Sequence, residues 1–188
     1  MMTDQELVDD IINGSQSAME VLVKRHYSLV YAYMYRKTNN KDTAYDLTQE
    51  IFIKMLSKIK LYSSSGEFAH WLLKIATNHF RDYIKSRSFV SSQMESEYED
   101  THTNHQTNVT YLYEKNQERE EISQALNQLS VVQKEAILLK YFHDLKIKEI
   151  AEITSANEST VKSRLKQGLQ KLSILLRREQ NETNSKRL

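Results

Sequence analysis

The chain has 188 residues, with 26 Lys and Arg against 25 Asp and Glu, 3 Gly, no Pro and no Cys. That length accommodates one ordinary domain or two small ones, and the missing cysteines exclude disulfides, thiolate metal sites and a cysteine nucleophile. So few turn formers argue against a sheet-rich fold, and no glycine cluster exists for a P-loop or a dinucleotide fingerprint; the composition predicts an all-α protein.

The first residues, Met1 to Glu6, are polar and acidic, unlike a secretory or transit leader. Nor does any apolar run approach the roughly 18 residues of a spanning helix. The expectation is a cytosolic protein with no membrane insertion. Charge is unevenly spread. Residues 4–87 hold 12 basic and 10 acidic groups, residues 88–121 hold 2 and 8, and residues 122–188 hold 12 and 7. Two mildly basic modules therefore flank an acidic connector.

In chain order, Thr3 with Glu6 has capping-box spacing and opens a short first helix, with Gly14 beyond its end as a stop. Ser17 with Glu20 has the same spacing before a long amphipathic helix over Ala18 to Lys37, which Asn39-Asn40 breaks. A third helix is predicted over Lys41 to Ile59, where Leu47, Ile51 and Met55 face the core. Asp46, Gln49, Glu50 and Ile53 fall at i, i+3, i+4 and i+7 and share a different face. By pattern alone that acidic patch is an ordinary solvated helix face.

Ser64 with Glu67 marks another start, after the loop Leu61 to Gly66, and the fourth helix is predicted over Glu67 to Arg87. Along it Lys74, Asn78, Arg81 and Lys85 form one polar, mostly basic stripe. Phe68, Leu72, Ile75, Ala76, His79 and Tyr83 line the opposite side, with Trp71 on the border. A basic stripe edged by an aromatic suits a nucleic-acid backbone, with a ring to stack on a base. Cations solvating an ordinary helix explain it equally well. His79 reads as a histidine at the core's edge.

From Ser88 to Asn108 the chain is rich in Ser, Thr, Asn and acid, too poor in apolar groups to offset its ordering entropy, and reads as a flexible linker. Beyond it, Ser130 with Gln133 is a capping-box candidate for a helix over Val131 to Phe142. A short helix over Ile147 to Ile153, a turn at Ser155-Ala156-Asn157 and a long helix over Glu158 to Arg178 then suit a helix-turn-helix. The small Ala151 permits close helix contact, and Val161 packs inward. Val161, Leu165, Gly168, Leu169, Leu172 and Leu176 form the predicted buried stripe of the last helix. Ser159, Lys162, Ser163, Lys166, Gln167 and Gln170 face outward, with groups able to read base edges and hold phosphates. An amphipathic interaction helix has the same pattern.

These segments match a known family in order and spacing. Asp46-Leu47-Thr48-Gln49-Glu50-Ile51-Phe52 resembles the D-x-x-Q-E-x-F signature of bacterial sigma factors. Phe68-Ala69-His70-Trp71-Leu72-Leu73-Lys74-Ile75-Ala76-Thr77-Asn78 resembles their F-x-x-W-L-x-x-I-A-x-N segment, with Asp82-Tyr83 following. Glu149-Ile150-Ala151-Glu152-Ile153 and Thr160-Val161-Lys162-Ser163-Arg164-Leu165 resemble E-I-A-E-I and T-V-K-S-R-L. With two domains only, the resemblance is to the extracytoplasmic-function (ECF) group.

The resemblance implies two small helical domains joined by a flexible acidic linker, the second a helix-turn-helix. The first domain covers 1–87, the linker 88–117, the second domain 118–178 and a tail 179–188. It implies core RNA polymerase as partner, docking through Asp46, Gln49, Glu50 and Ile53 on the clamp of the large subunit. It further implies capture of single-stranded −10 DNA by the loop from Leu61 to Phe68, including Ser64 and Ser65, and by Trp71, Lys74, Asn78, Arg81 and Lys85. Duplex −35 DNA would meet Ser159, Thr160, Lys162, Ser163, Arg164, Lys166 and Gln167. No catalytic residue, cofactor or metal is implied, and an anti-sigma factor is a possible partner.

The family usually carries I-L-G-I-P-V-G-T-V where this chain has Ile153-Thr154-Ser155-Ala156-Asn157-Glu158-Ser159-Thr160-Val161. Without that Gly and Pro, Asn157 is the residue expected to turn left-handed. Two rival readings remain. A stand-alone helix-turn-helix regulator would leave the Asp46 patch and the basic stripe without a task. A metal hydrolase using His102, His105 and Glu97, Glu99 or Asp100 would build its centre in a tract without pre-organisation.

Overall fold

The computed structural model describes residues 2–63, 66–93 and 120–185, with side chains described through 87 in the first module and through 177 in the second. Among the described residues the regular structure is helical, with no strand. Helix α1, Asp4–Ile12, opens on Thr3: Glu6 N–H donates to the Thr3 hydroxyl at 3.2 Å while Thr3 N–H donates to the Glu6 carboxylate at 2.7 Å. Gly14 follows with φ +94°, a conformation that favours glycine.

Helix α2, Gln16–Thr38, starts earlier than the sequence predicts. Ser15, not Ser17, is its cap, accepting from Ala18 N–H at 3.2 Å. Two hydroxyls stand two residues apart there, and Ser17 falls inside the first turn. Asn39 then turns left-handed at φ 52°, and Asn40 caps the next helix by accepting from Thr43 N–H at 2.9 Å. Helix α3 is Lys41–Lys58, with a 3-10 turn over Ile59–Leu61. Helix α4, Phe68–Gln93, continues beyond Arg87. The first residues assigned to the linker, 88–93, are therefore helical; the rest of it, with His102 and His105, lies outside the described residues, as does the Ser64 cap.

Helices α2 and α3 form a hairpin, α4 packs across both, and α1 lies on α2. Leu22, Val30, Met34, Leu47, Ile51, Met55, Leu72, Leu73 and Ala76 fill the space between them; such residues contribute roughly 1.5–3 kcal/mol each when fully buried. Tyr33 is wholly buried, and its hydroxyl reaches the Thr77 hydroxyl at 3.0 Å; burial pushes that phenol's pKa up.

In the second module, residues 120–127 form α5, followed by α6 (Val131–Tyr141), α7 (Ile147–Thr154) and α8 (Glu158–Ser185). The Ser130–Gln133 capping box is present at the start of α6. In the turn between α7 and α8 the left-handed residue is Ser155, at φ 52°, rather than Asn157. Asn157 is committed instead to capping α8, accepting from Thr160 N–H at 2.8 Å, a role that asparagine fills well. Helix α8 runs on to Ser185, so most of the expected tail is helical.

Only the first half of the α8 stripe is buried. Val161, Leu165 and Gly168 are covered, Leu172 and Leu176 are half-buried, and Leu169 is 40% exposed. At about 1.5 Å per residue the 28-residue α8 outruns its supports, the 11-residue α6 and the 8-residue α7. At Gly168 α8 comes so near α6 that a Cβ would stand 2.7 Å from Ile137 Cδ1.

The modules, read from sequence as tethered, pack directly on each other: α7 against α4 and α6 against α2. Glu135 of α6 is wholly buried there. It accepts from Lys37 Nζ at 2.7 Å and from the Arg81 guanidinium. Arg81 also donates to the Thr154 carbonyl at 3.0 Å, and Lys134 Nζ donates to the Lys37 carbonyl at 3.1 Å. His143 stands edge-on to Tyr33 at 5.2 Å, and the Arg36 guanidinium lies 4.5 Å over the Phe142 ring.

Candidate nucleic-acid interface

Helix α3 presents two unlike faces. Leu47, Ile51 and Met55 are buried, while Asp46, Gln49, Glu50 and Ile53 lie together outside, Ile53 at 66% exposure. Glu50 also touches α4. Its carboxylate stands 2.9 Å from His79 Nε2, short of the alignment of a full hydrogen bond. On the ring's other side Lys54 Nζ lies 2.7 Å from Nδ1. An ammonium can only donate, so Nδ1 is the acceptor and the ring proton sits on Nε2, facing Glu50. Burial, and then the charge of Lys54, hold the His79 pKa below its ordinary value. The histidine at the core's edge thus turns its N–H towards Glu50.

Beside it, Lys54, Lys58, Trp71, Lys74, Ile75, Asn78, His79 and Asp82 line an open cavity of about 200 Å³. Lys74 and Asn78 are exposed on α4, whereas Trp71 is half-buried. Its indole contacts Tyr62 at 5.4 Å and Phe68 at 5.5 Å, and Tyr62 donates to the Gly66 carbonyl at 2.9 Å. Phe68, expected to meet DNA, is 2% exposed and packs against His26, Tyr62 and Trp71; it props the loop from within, offering no surface of its own. Ser64 and Ser65 lie outside the described residues.

The remainder of the stripe divides. Lys85 is exposed, but Arg81 is half-buried and turned to Glu135 and Thr154. Lys54 and Lys58 did not figure in the sequence reading of this site because they sit on α3. Their i, i+4 spacing was the available signal, but only the packing of α3 on α4 brings them to Trp71 and Lys74.

At α8 the first turns are open. Ser159, Lys162, Ser163, Lys166 and Gln167 are exposed, with Thr160 and Arg164 half-buried. Ser159 donates to the Asn157 side chain at 2.9 Å, and Gln167 donates to the Ser163 hydroxyl at 3.3 Å. Among the described residues no cluster of His, Asp and Glu suits a metal ion, and no helix is long and apolar enough to cross a membrane.

Two family models match segments of the chain. A model described as Sigma-70 region 2 matches residues 22–90, and one described as Sigma-70, region 4 matches residues 119–172. The ECF RNA polymerase sigma factor SigE of Mycolicibacterium smegmatis is 31% identical over 173 residues, covering 90% of this chain and 67% of that relative. The chain belongs to the ECF sigma factors. Sigma factor SigV of Bacillus subtilis is 29% identical over 164 residues, covering 81% of this chain and 85% of that protein. In fold, the chain resembles the sigma factor RpoE of Bartonella quintana, solved in complex with the anti-sigma factor NepR. The TM-score is 0.70 at 22% identity, covering 84% of this chain and 96% of that one. As a sigma factor the protein binds core RNA polymerase, recognises −10 and −35 promoter elements and promotes transcription initiation; a regulator acting without polymerase is not favoured.

Proposed function

We propose how this sigma factor divides that work among its faces. The exposed α3 face of Asp46, Gln49, Glu50 and Ile53 docks on a basic surface of the polymerase clamp. The observation that carries this is Ile53, two-thirds exposed among acids on a helix whose opposite side is closed. A large apolar group ringed by charge has the make-up of an interface centre with a polar rim.

Trp71, Lys74 and Asn78, with Lys54 and Lys58 opposite, hold the single-stranded −10 element. Unstacking a base costs a few kcal/mol, and stacking on an aromatic returns about 1–3 kcal/mol per base. The surrounding cations take the phosphates. Ser159, Lys162, Ser163, Lys166 and Gln167 meet the −35 major groove, flanked by Thr160 and Arg164. The protein has no catalysis of its own and works in the cytoplasm. An anti-sigma factor is a further expected partner, as NepR is for its structural relative.

The test is a charge reversal. Asp46→Arg combined with Glu50→Arg is expected to abolish co-elution with core polymerase while leaving the helical circular dichroism unchanged. Undiminished core affinity in the folded variant overturns the docking assignment.

A further inference from the structure

Glu135 has no task in the scheme above, yet it is the most deeply placed charge among the described residues. It lies in the second module and is 0% exposed, and both of its cations come from the first, Lys37 on α2 and Arg81 on α4. Lys37 is almost as enclosed, with Nζ 4.5 Å from the Phe80 ring and 5.1 Å from that of Tyr33. The two cations therefore have a buried carboxylate between them only while the modules are docked.

Arg81 also belongs to the α4 stripe, one turn beyond Asn78 and on the same side as Lys74. A guanidinium makes the same planar, charge-assisted bonds to a carboxylate as to a phosphate. Glu135 thus gives Arg81 what a nucleic-acid backbone would give it, and the Thr154 carbonyl at the end of α7 takes a further N–H. A strand following the stripe as far as Arg81 meets α7, which packs on α4 at that point.

We propose that Glu135 is an internal competitor for the −10 strand: docking of the second module seats its carboxylate on Arg81, and the strand gains Arg81 only when α6 and α7 leave α4. This rests on the assignment of the α4 stripe to strand binding. The chemistry suits a contact that must release. Desolvation of a buried ion pair offsets much of its Coulomb energy, so such a contact specifies a docked geometry without making it irreversible. Salt screens a buried pair weakly. The equilibrium is instead shifted by a ligand that binds the open state better, and the strand's apparent affinity for the free protein falls with the fraction that is open.

The experiment measures fluorescence anisotropy of a short fluorescein-labelled DNA single strand of mixed sequence against the full chain. Glu135→Gln keeps the side-chain size and removes the charge. It is expected to tighten strand binding about tenfold, and adding Arg81→Ala is expected to cancel the gain. A folded E135Q variant that binds like the parent overturns the proposal. Should E135Q fail to fold, a second pair decides. Arg36→Cys with Phe142→Cys places the only two thiols of the chain on either side of the module interface, where Arg36 and Phe142 now stack. Linking them with a short bismaleimide is expected to weaken strand binding about tenfold relative to the unlinked protein; equal affinity overturns the proposal. Lys74→Ala with Asn78→Ala tests the underlying assignment separately. If that pair leaves strand binding intact, α4 is not the strand site. If it weakens binding while E135Q and the cross-link change nothing, only the role of Glu135 falls.

Discussion

Gly168→Ala sets two effects of known size against each other at the contact that positions α8 on α6. Alanine in place of glycine inside a helix gains about 1 kcal/mol. Against that, the new Cβ would stand 2.7 Å from Ile137 Cδ1 and 3.6 Å from Cγ1, the first well inside the roughly 3.5–4.0 Å optimum for carbon atoms. Ile137 is 3% exposed, so its terminal methyl has no solvent to swing into. Overpacking of this kind costs about 1–3 kcal/mol, and the net expectation is a loss of about 1 kcal/mol. Ile137→Val removes Cδ1 and alone costs about 1 kcal/mol. In the double variant the added methyl occupies the vacated space while the helix gain remains. The double variant should therefore be more stable than either single one, with a coupling of about 1–2 kcal/mol. Urea denaturation followed by circular dichroism measures all four proteins. Additive losses, or a Gly168→Ala protein more stable than its parent, would refute the claim that this contact sets the spacing of α8 and α6.

His143 supplies a pH test. Burial, helped by the Arg36 charge, lowers its pKa from 6.5 to about 4. Between those values the unfolded chain binds the extra proton, so the contribution is complete above pH 6.5 and is lost as pH falls towards 4, by about 3 kcal/mol at most. His143→Phe keeps an aromatic ring against Tyr33 and should flatten stability against pH in that window; an unchanged slope in urea midpoints refutes the burial argument. At the exposed face of α8, Lys162→Ala should change the preferred −35 sequence in a binding selection. A uniform loss across all sequences would instead make Lys162 a phosphate contact.

Local chemistry was legible wherever a single segment decided the outcome. Thr3 with Glu6 and Ser130 with Gln133 announce their helices by spacing alone, and Asn39-Asn40 does break the chain between α2 and α3. Where two residues compete for one role, the sequence underdetermines the result: Ser15 displaces Ser17 as cap, and Ser155 turns left-handed because Asn157 is engaged at the head of α8. Leu169 is more exposed than Leu172, which lies farther along α8, so its exposure reflects which edge of the stripe the neighbouring helices cover, and no pattern within α8 contains that. The Glu135 cluster was hidden for a similar reason. Its partners stand 98 and 54 positions away, so nothing local to Lys134-Glu135 announces them. The α3 and α4 faces were visible as periodicities, but their convergence on one cavity is a property of the packing.

Trp71 is the only tryptophan in the chain, and it lines the cavity with Lys54, Lys58 and Lys74 while touching Tyr62 and Phe68. Under indole-selective excitation, all emitted light therefore originates at this rim. A base sliding over the ring would quench it, and displacement of the neighbouring ammonium groups would shift its colour. The molecule carries its own optical reporter, placed where strand capture is proposed to occur, so arrival of DNA can be timed on the unlabelled protein.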